Sequence, residues 1–366
     1  ASSTGGQIMP PIMGAAAFIM AEMTGFEYSK IIVRAILPAF LYFLGIFLGV
    51  HFKAKKLGLK GLPREELPKW GKLLPKIYLL LPLVLLVYMI VSGQTMAKSA
   101  IYATIAAIAV SLINKDDRMT PTKFVNGLEN GGKNCISIGI ACGIAGIISV
   151  CITMTGLGGK LITYVVSLSN GHLIIALFLT MICCIILGMG VPTTANYIIM
   201  ASTCAPILIN GMGMHVLAAN MFVFYFGIVA DITPPVALAA YAGSAIAKAP
   251  PMKTAFNATR LAIAAFIIPY IFAFNNAMIF VGDDVTVWSV ASITISATLG
   301  MLSIASGLMG YLIHDLKWIS RIALIAGGLL MIIPGTVSDL AGFAVLAAIF
   351  ILQTIENKKE KKAASV

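Results

Sequence analysis

Residues 227–241 read GIVADITPPVALAAY. An acid, Asp231, and a proline pair, Pro234 and Pro235, interrupt a run that is otherwise apolar. A proline pair removes two amide donors and pushes the residue before it out of the helical region. Where such a run lies in a bilayer, each freed carbonyl costs several kcal/mol unless something satisfies it. An aspartate at the centre of a membrane helix adds about 2.5–3.5 kcal/mol. A sequence keeps that combination where the broken point lines a cavity and binds something. The unwound carbonyls, the Thr233 hydroxyl and the Asp231 carboxylate make an all-oxygen set suited to a hard cation such as Na⁺. The half-helix that restarts after the prolines can turn its N-terminus toward an anion.

Composition supplies the bilayer. The chain has 366 residues, of which 59% are hydrophobic and 11% charged. A soluble domain carries about 25% charged residues, so this chain cannot cover its surface with charge. Successive apolar stretches of 15–25 residues predict an all-α, polytopic transmembrane helical protein. The net charge of +11 does not read as a nucleic-acid surface, because the bases gather in short loops. HFKAKKLGLKGLPREELPKWGKLLPK (51–76) and KKEKK (358–362) are the densest, a distribution that places both in the cytoplasm. The cysteines at 135, 142, 151, 183, 184 and 204 lie in or beside apolar segments, which fits packing rather than disulfides or metal. His51, His172, His215 and His314 are scattered over span ends and suggest no metal cluster. No HExxH or GxSxG motif is present, and intramembrane acids are few, so an enzyme is not expected.

Apolar runs place spans near 31–50, 77–92, 99–113, 134–156, 220–247, 255–275, 289–313, 319–334 and 338–354. TPTKFVNGLENGGKN (120–134) reads as a separate short cytoplasmic helix and linker, and an interfacial helix is expected around 65–75. HLIIALFLTMICCIILGMGVPTTANYIIMASTCAPILI (172–209) differs from a simple span. Its two apolar arms flank GMGVPTTAN, and each is marginal for a crossing of about 30 Å. A re-entrant hairpin fits better, with its polar tip inside the membrane. Gly188 and Gly190 let carbonyls turn inward there, and Thr193, Thr194 and Asn196 follow.

The proline pair also recurs. STGGQIMPPIMGAAAF (3–18) and VADITPPVALAAYAG (229–243) both run from small polar residues through Pro-Pro into an Ala-rich restart, offset by 224 residues. Arg34 and Arg260 follow each second proline by 23 and 25 residues, and Pro38 or Pro269 interrupts each following span. The first copy exits into the basic 51–76 loop, with eight Lys/Arg against two Glu; the second exits into NNAMIFVGDDV (275–285), with two Asp and no base. The repeats are therefore expected to be inverted. The expected organisation is the end of a first repeat at 1–50, a basic loop and connecting spans at 51–133, and a second repeat at 134–275. That second repeat holds the hairpin (172–209) and the broken helix (220–247). A C-terminal membrane extension follows at 276–366. Arg34 and Arg260 read chiefly as headgroup anchors, with a substrate-carboxylate role as the minority reading. Phe18 and Tyr241 read as packing. Taken singly, a Pro-Pro kink, an aspartate between helices or a polar loop cap each has a structural explanation. Their co-occurrence, with inverted repeats, is the pattern of a secondary transporter.

STGGQIMPPIMGAAAFIMAE, LGMGVPTTANYIIMASTCAPIL and GIVADITPPVALAAYAGSAIA resemble the large membrane subunit of tripartite ATP-independent periplasmic (TRAP) transporters. The match extends over roughly residues 1–275 and is closest to fused permeases that pair with TAXI-type binding proteins. The resemblance implies a Na⁺-driven importer in the bacterial inner membrane. Its substrate would be a small organic anion, a carboxylate such as glutamate or 2-oxoglutarate. A periplasmic binding protein would deliver that substrate, and elevator-type motion would carry it across. A small membrane subunit, fused upstream or separate, and membrane lipid complete the expected partners. Na⁺ is the coupling ion, and no cofactor is implied. Carried over, the cation set is Thr193, Thr194, Asn196, Asp231 and Thr233 in the second repeat, with Ser3, Thr4, Gly5 and Gly6 in the first. Gln7, Pro10, Pro11, Gly190, Pro234 and Pro235 are nominated for the substrate, Gln7 standing also beside the first cation set. No hairpin precedes the first broken helix, so this stretch is expected to be the C-terminal part of a longer chain and not to transport alone. A divalent-anion/Na⁺ symporter of similar architecture, independent of a binding protein, is the alternative.

Overall fold

The computed structural model describes residues 1–11, 13–61, 63, 65–67, 70–113, 118–282, 285–333 and 335–363. These residues are all-α: no strand forms among them, and the one β-bridge, Tyr311 with Asp315, is isolated. The N-terminal segment comprises α1 (Ser2–Gly5), α2 (Ala15–Thr24) and α3 (Tyr28–Lys56). After the basic loop come α4 (Trp70–Leu73), a 3₁₀ turn over Leu74–Leu80, α5 (Leu81–Val91), α6 (Met96–Ile113), α7 (Pro121–Met154) and α8 (Leu157–Ser169). The hairpin arms are α9 (Leu173–Gly188) and α10 (Thr193–Thr203), followed by a π turn over Ile207–Gly211. The second break separates α11 (Val216–Ala230) from α12 (Leu238–Ala247), and α13 (Pro251–Leu261) and α14 (Ile263–Phe274) follow. The extension is α15 (Val287–Met309), α16 (Trp318–Leu330) and α17 (Thr336–Ala363). α3, α13–α14, α15 and α17 are each long and apolar enough to cross a membrane. The protein is a multi-pass membrane protein.

Two sequence expectations change. The short helix expected at 120–134 and the span at 134–156 are one helix, α7, because Gly127, Gly131 and Gly132 sit in open surroundings and no proline interrupts the run. The interfacial helix expected around 65–75 shrinks to α4 and a 3₁₀ turn; Pro68 and Lys69 lie outside the described residues. Arg260, read chiefly as a headgroup anchor, is exposed, and its guanidinium donates to the Leu308 carbonyl at 2.5 Å. Asp283 and Asp284, which carry the orientation argument, lie outside the described residues, as do Leu62 and Arg64 of the basic loop.

α11 organises the core. Every residue from Leu217 to Ala230 is buried, as expected of a helix that is apolar all round. α9, α10 and α14 pack on it, together with α2. Its rings interlock with their neighbours: Phe222 meets Phe226 at 4.8 Å between centroids, and Tyr225 meets Phe272 of α14 at 5.7 Å. Its side-chain amide is paired, since Tyr197 Oη of α10 donates to Asn220 Oδ1 at 2.8 Å, whereas the buried Tyr225 hydroxyl meets no hydrogen-bond partner.

The extension is fastened to α3 and α13 at the C-terminus of α15. Arg321 donates to the Gly307 and Leu308 carbonyls at 2.9 and 3.1 Å, Arg260 to Leu308, and Lys56 to Gly310 at 3.3 Å. Cations there satisfy orphan carbonyls and the negative end of the helix dipole. Lys56 closes α3 and Arg260 lies in the last turn of α13, so residues after 286 bind both halves of the preceding body.

Candidate functional site: a hairpin tip between two broken helices

The two breaks share one backbone course. The Pro10–Pro11 and Pro234–Pro235 bonds are both cis. Two residues beyond each pair stands a non-glycine residue in the left-handed region, Met13 at φ 54° and Ala237 at φ 35°. Such residues are uncommon and cluster where function over-determines the backbone. A ten-residue helix restarts after each, α2 and α12.

The carbonyls freed by the second break each accept a hydrogen bond from within the protein, which leaves each a second lone pair. The Asp231 amide bonds to Ile228 rather than Gly227, and Asn196 Nδ2 takes the released Gly227 carbonyl at 3.1 Å. The Asp231 carbonyl accepts from the Ala239 amide at 3.0 Å, and that of Thr233 from Ala237 at 3.1 Å. Thr259 Oγ1 donates to the Ile232 carbonyl at 3.0 Å and Tyr241 Oη to that of Pro235. In the first break Tyr28 Oη donates to the Pro11 carbonyl at 2.9 Å. Hydroxyls from the helices that follow each break thus replace the lost ladder bonds. Tyr241 does more than pack, while Phe18 packs on Tyr28 as expected, with 4.6 Å between centroids.

The hairpin turn, Met189–Pro192, sits against both breaks. A Cβ on Gly188 would come within 2.9 Å of Ala230 Cβ and 2.7 Å of Asn196 Nδ2, so only glycine allows this approach. On the other side, Pro192, Thr193 and Thr194 face Gln7, Gly14 and Ala16 across a cavity of about 240 Å³ with Phe224 at its edge. The structure therefore brings together Gln7, Thr193 and Thr194, and separately Asn196 and Gly227. Asp231 and Thr233 are half-buried and do not line that cavity.

Side-chain oxygens remain. Gln7 Oε1 and Asn196 Oδ1 are buried without a hydrogen-bond partner. Thr233 Oγ1 donates to the Val229 carbonyl at 2.7 Å and Thr4 Oγ1 to that of Ala1 at 2.7 Å, which leaves hydroxyl lone pairs able to accept. Ser3, Gly6, Gly190 and Pro235 are exposed, and Pro10, Pro11 and Pro234 half-buried. Gly5 is buried where a Cβ would strike the Tyr42 and Phe43 rings, so its smallness seats α1 on α3. The sequence reading passed over Tyr28 and Tyr42, which hold the first break. Tyr42 Oη donates to the Ala1 carbonyl at 2.6 Å and lies 2.9 Å from Thr4 Oγ1. A signal was present: Tyr28, Ala35, Tyr42 and Gly49 recur every seven residues and are all buried, one face of α3.

Taken together, this is a polytopic membrane protein whose two broken helices enclose a polar hairpin tip, the arrangement of a secondary carrier. A family model described as tripartite ATP-independent periplasmic transporter, DctM component, matches residues 1–284. The chain belongs to that family of TRAP transporter membrane permeases, whose partners are a periplasmic substrate-binding protein and a small membrane subunit. A search of curated proteins returned no match. The family is one of transporters rather than enzymes, and membership favours a binding-protein-dependent permease over the symporter alternative.

Proposed function

We propose that this chain is the Na⁺-coupled permease subunit that imports a small organic anion, a carboxylate such as glutamate or 2-oxoglutarate. A TAXI-type periplasmic protein delivers it, and the small membrane subunit is fused upstream or separate. The observation that carries the reading is the hairpin tip lodged between two broken helices, with the buried Gln7 and Asn196 side-chain oxygens left unpaired. Buried polar atoms are costly when unpaired, and an oxygen-lined site that a hard cation completes removes the cost. Around the second break Asp231, Thr233 and Asn196 supply oxygens for one Na⁺; around the first, Thr4, Ser3 and the backbone of Gly5 and Gly6 serve a second, with Thr193 and Thr194 of the tip on the Gln7 side. Gln7 and the tip residues Gly190 and Thr193 then face the substrate across the small cavity, bordered by the two proline pairs. Elevator-type movement of this body exposes the site alternately on the two sides of the inner membrane. The 51–76 loop and the C-terminus lie in the cytoplasm.

Coupling means that each ligand changes the affinity of the other by the same factor. The test is uptake by membrane vesicles holding the permease with its small subunit and binding protein, under an inward Na⁺ gradient. Replacing Na⁺ by K⁺ is expected to abolish concentrative uptake, and undiminished uptake would refute sodium coupling. Omitting the binding protein is expected to abolish uptake as well. Uptake that persists without it would remove the delivery step.

A further inference from the structure

Arg34 lies in α3 on the side away from the basic 51–76 loop. Lys56 is 22 residues further along the helix, about 33 Å at 1.5 Å per residue. The Arg34 Nη1 nitrogen is buried and meets no hydrogen-bond partner. The guanidinium rests over the Phe26 ring, 5.5 Å from its centroid. Phe26 in turn lies 5.9 Å from the His215 ring. His215 Nδ1 accepts from the Leu217 amide at 3.1 Å, which leaves Nε2 to carry the proton of the neutral ring and donate. The acid nearest in sequence, Glu27, is held by Lys30 at 3.3 Å. The Tyr28 hydroxyl is committed to the Pro11 carbonyl.

A guanidinium inside a membrane span is paired in native proteins, because leaving it bare costs several kcal/mol. An arginine that only anchors to headgroups snorkels and keeps its nitrogens in the wet interface. Arg34 does the reverse with Nη1, which is buried in the protein, its guanidinium over the Phe26 ring. A planar fork over a ring, with a second donor at hand, matches an oxyanion, and a carboxylate above all. We propose that Arg34 and His215, set around the Phe26 ring, form an oxyanion post that receives the carboxylate of the transported anion. The post stands between the outer end of α3 and the first break, to which Tyr28 ties that end. It rests on the reading of the chain as an organic-anion permease.

The test uses the purified full chain in phosphatidylcholine nanodiscs at constant Na⁺. Its thermal unfolding midpoint is followed while acetate, succinate, glutamate and 2-oxoglutarate are titrated in turn. At least one carboxylate is expected to raise the wild-type midpoint. The half-saturating concentration should rise about tenfold or more in Arg34→Gln, and by less in Arg34→Lys, which keeps the charge and loses the fork. Should Arg34→Gln fail to fold, Arg34→Lys and His215→Gln carry the same comparison. A wild-type protein that answers to none of the four anions overturns the post, and so does an Arg34→Gln protein that answers like wild type. Loss of co-purifying phosphatidylglycerol from Arg34→Gln, with the carboxylate response unchanged, assigns the arginine to a lipid headgroup and also overturns it. Repeating the titration with K⁺ in place of Na⁺ separates the two readings. A carboxylate response that survives the exchange and still depends on Arg34 supports the post while contradicting sodium coupling.

Discussion

The first and second breaks follow the same backbone and carry different chemistry. Both have the cis proline pair and the left-handed residue two positions on. Yet at the 224-residue offset Gln7 stands where Asp231 stands, a neutral amide against an acid. Their fastenings differ as well. The first break hangs from α3, through Tyr28 and Tyr42. The second hangs from the helices that follow it, through Tyr241 and Thr259, and from the hairpin through Asn196. The shape of such a site is set by backbone constraints common to both breaks, whereas its charge is set one residue at a time.

The sharpest way to break the comparison is to remove the charge difference. Asp231→Asn keeps the shape and leaves both breaks neutral. If the second break holds a cation through its carboxylate, the apparent Na⁺ affinity of uptake should fall at least tenfold, about 1.4 kcal/mol, while Gln7→Ala changes it far less. Equal effects of the two substitutions would show that the acid is not what distinguishes the breaks.

The next effect concerns how closely the tip approaches one break rather than the other. Gly188→Ala puts a Cβ within 2.9 Å of Ala230 Cβ, where the neighbour sits on the fully buried α11 and cannot give. Overpacking of this kind costs about 1–3 kcal/mol, to be read as a lowered midpoint in thermal unfolding. Gly190→Ala meets only Val236 at 3.9 Å, so crowding adds little, although its φ of +74° still strains any side chain placed there. A Gly188→Ala protein as stable as wild type would mean that the hairpin does not dock as described.

Much of this architecture was legible before the fold. The Pro-Pro copies announced two breaks, and the paired apolar arms around GMGVPTTAN announced a hairpin, because missing donors and short arms have few solutions in a bilayer. What a linear reading missed is who repairs the breaks. Tyr28, Tyr42, Tyr241 and Thr259 are ordinary residues of apolar helices, and their hydroxyls acquire a role only once packing aims them at a freed carbonyl. The second attachment of Arg260 was hidden for the same reason. Its partner, the Leu308 carbonyl, lies 48 residues away in the extension, and nothing local marks it. The continuity of α7 escaped because polar residues such as Asn126 and Glu129 mark a water-facing stretch without ending a helix.

The smallest effect tests the repair itself, and does so in both repeats. Tyr28→Phe removes the donor to the Pro11 carbonyl, and Thr259→Val the donor to that of Ile232. Each substitution is close to isosteric, so the change is confined to the hydroxyl, and a lost hydrogen bond is worth about 1 kcal/mol, up to about 3 if the orphaned carbonyl stays dry. Thr259 also reaches the Ala255 carbonyl at 3.0 Å, an acceptor already within its own helix, so its bond to Ile232 is shared and its loss should cost less than that of Tyr28. Combined, the two substitutions should add, because they act on separate breaks with no common partner. A double variant that unfolds with a cost well beyond the sum would mean that the two discontinuities are held as one unit through the hairpin between them, and that the repeats share their stability as well as their shape.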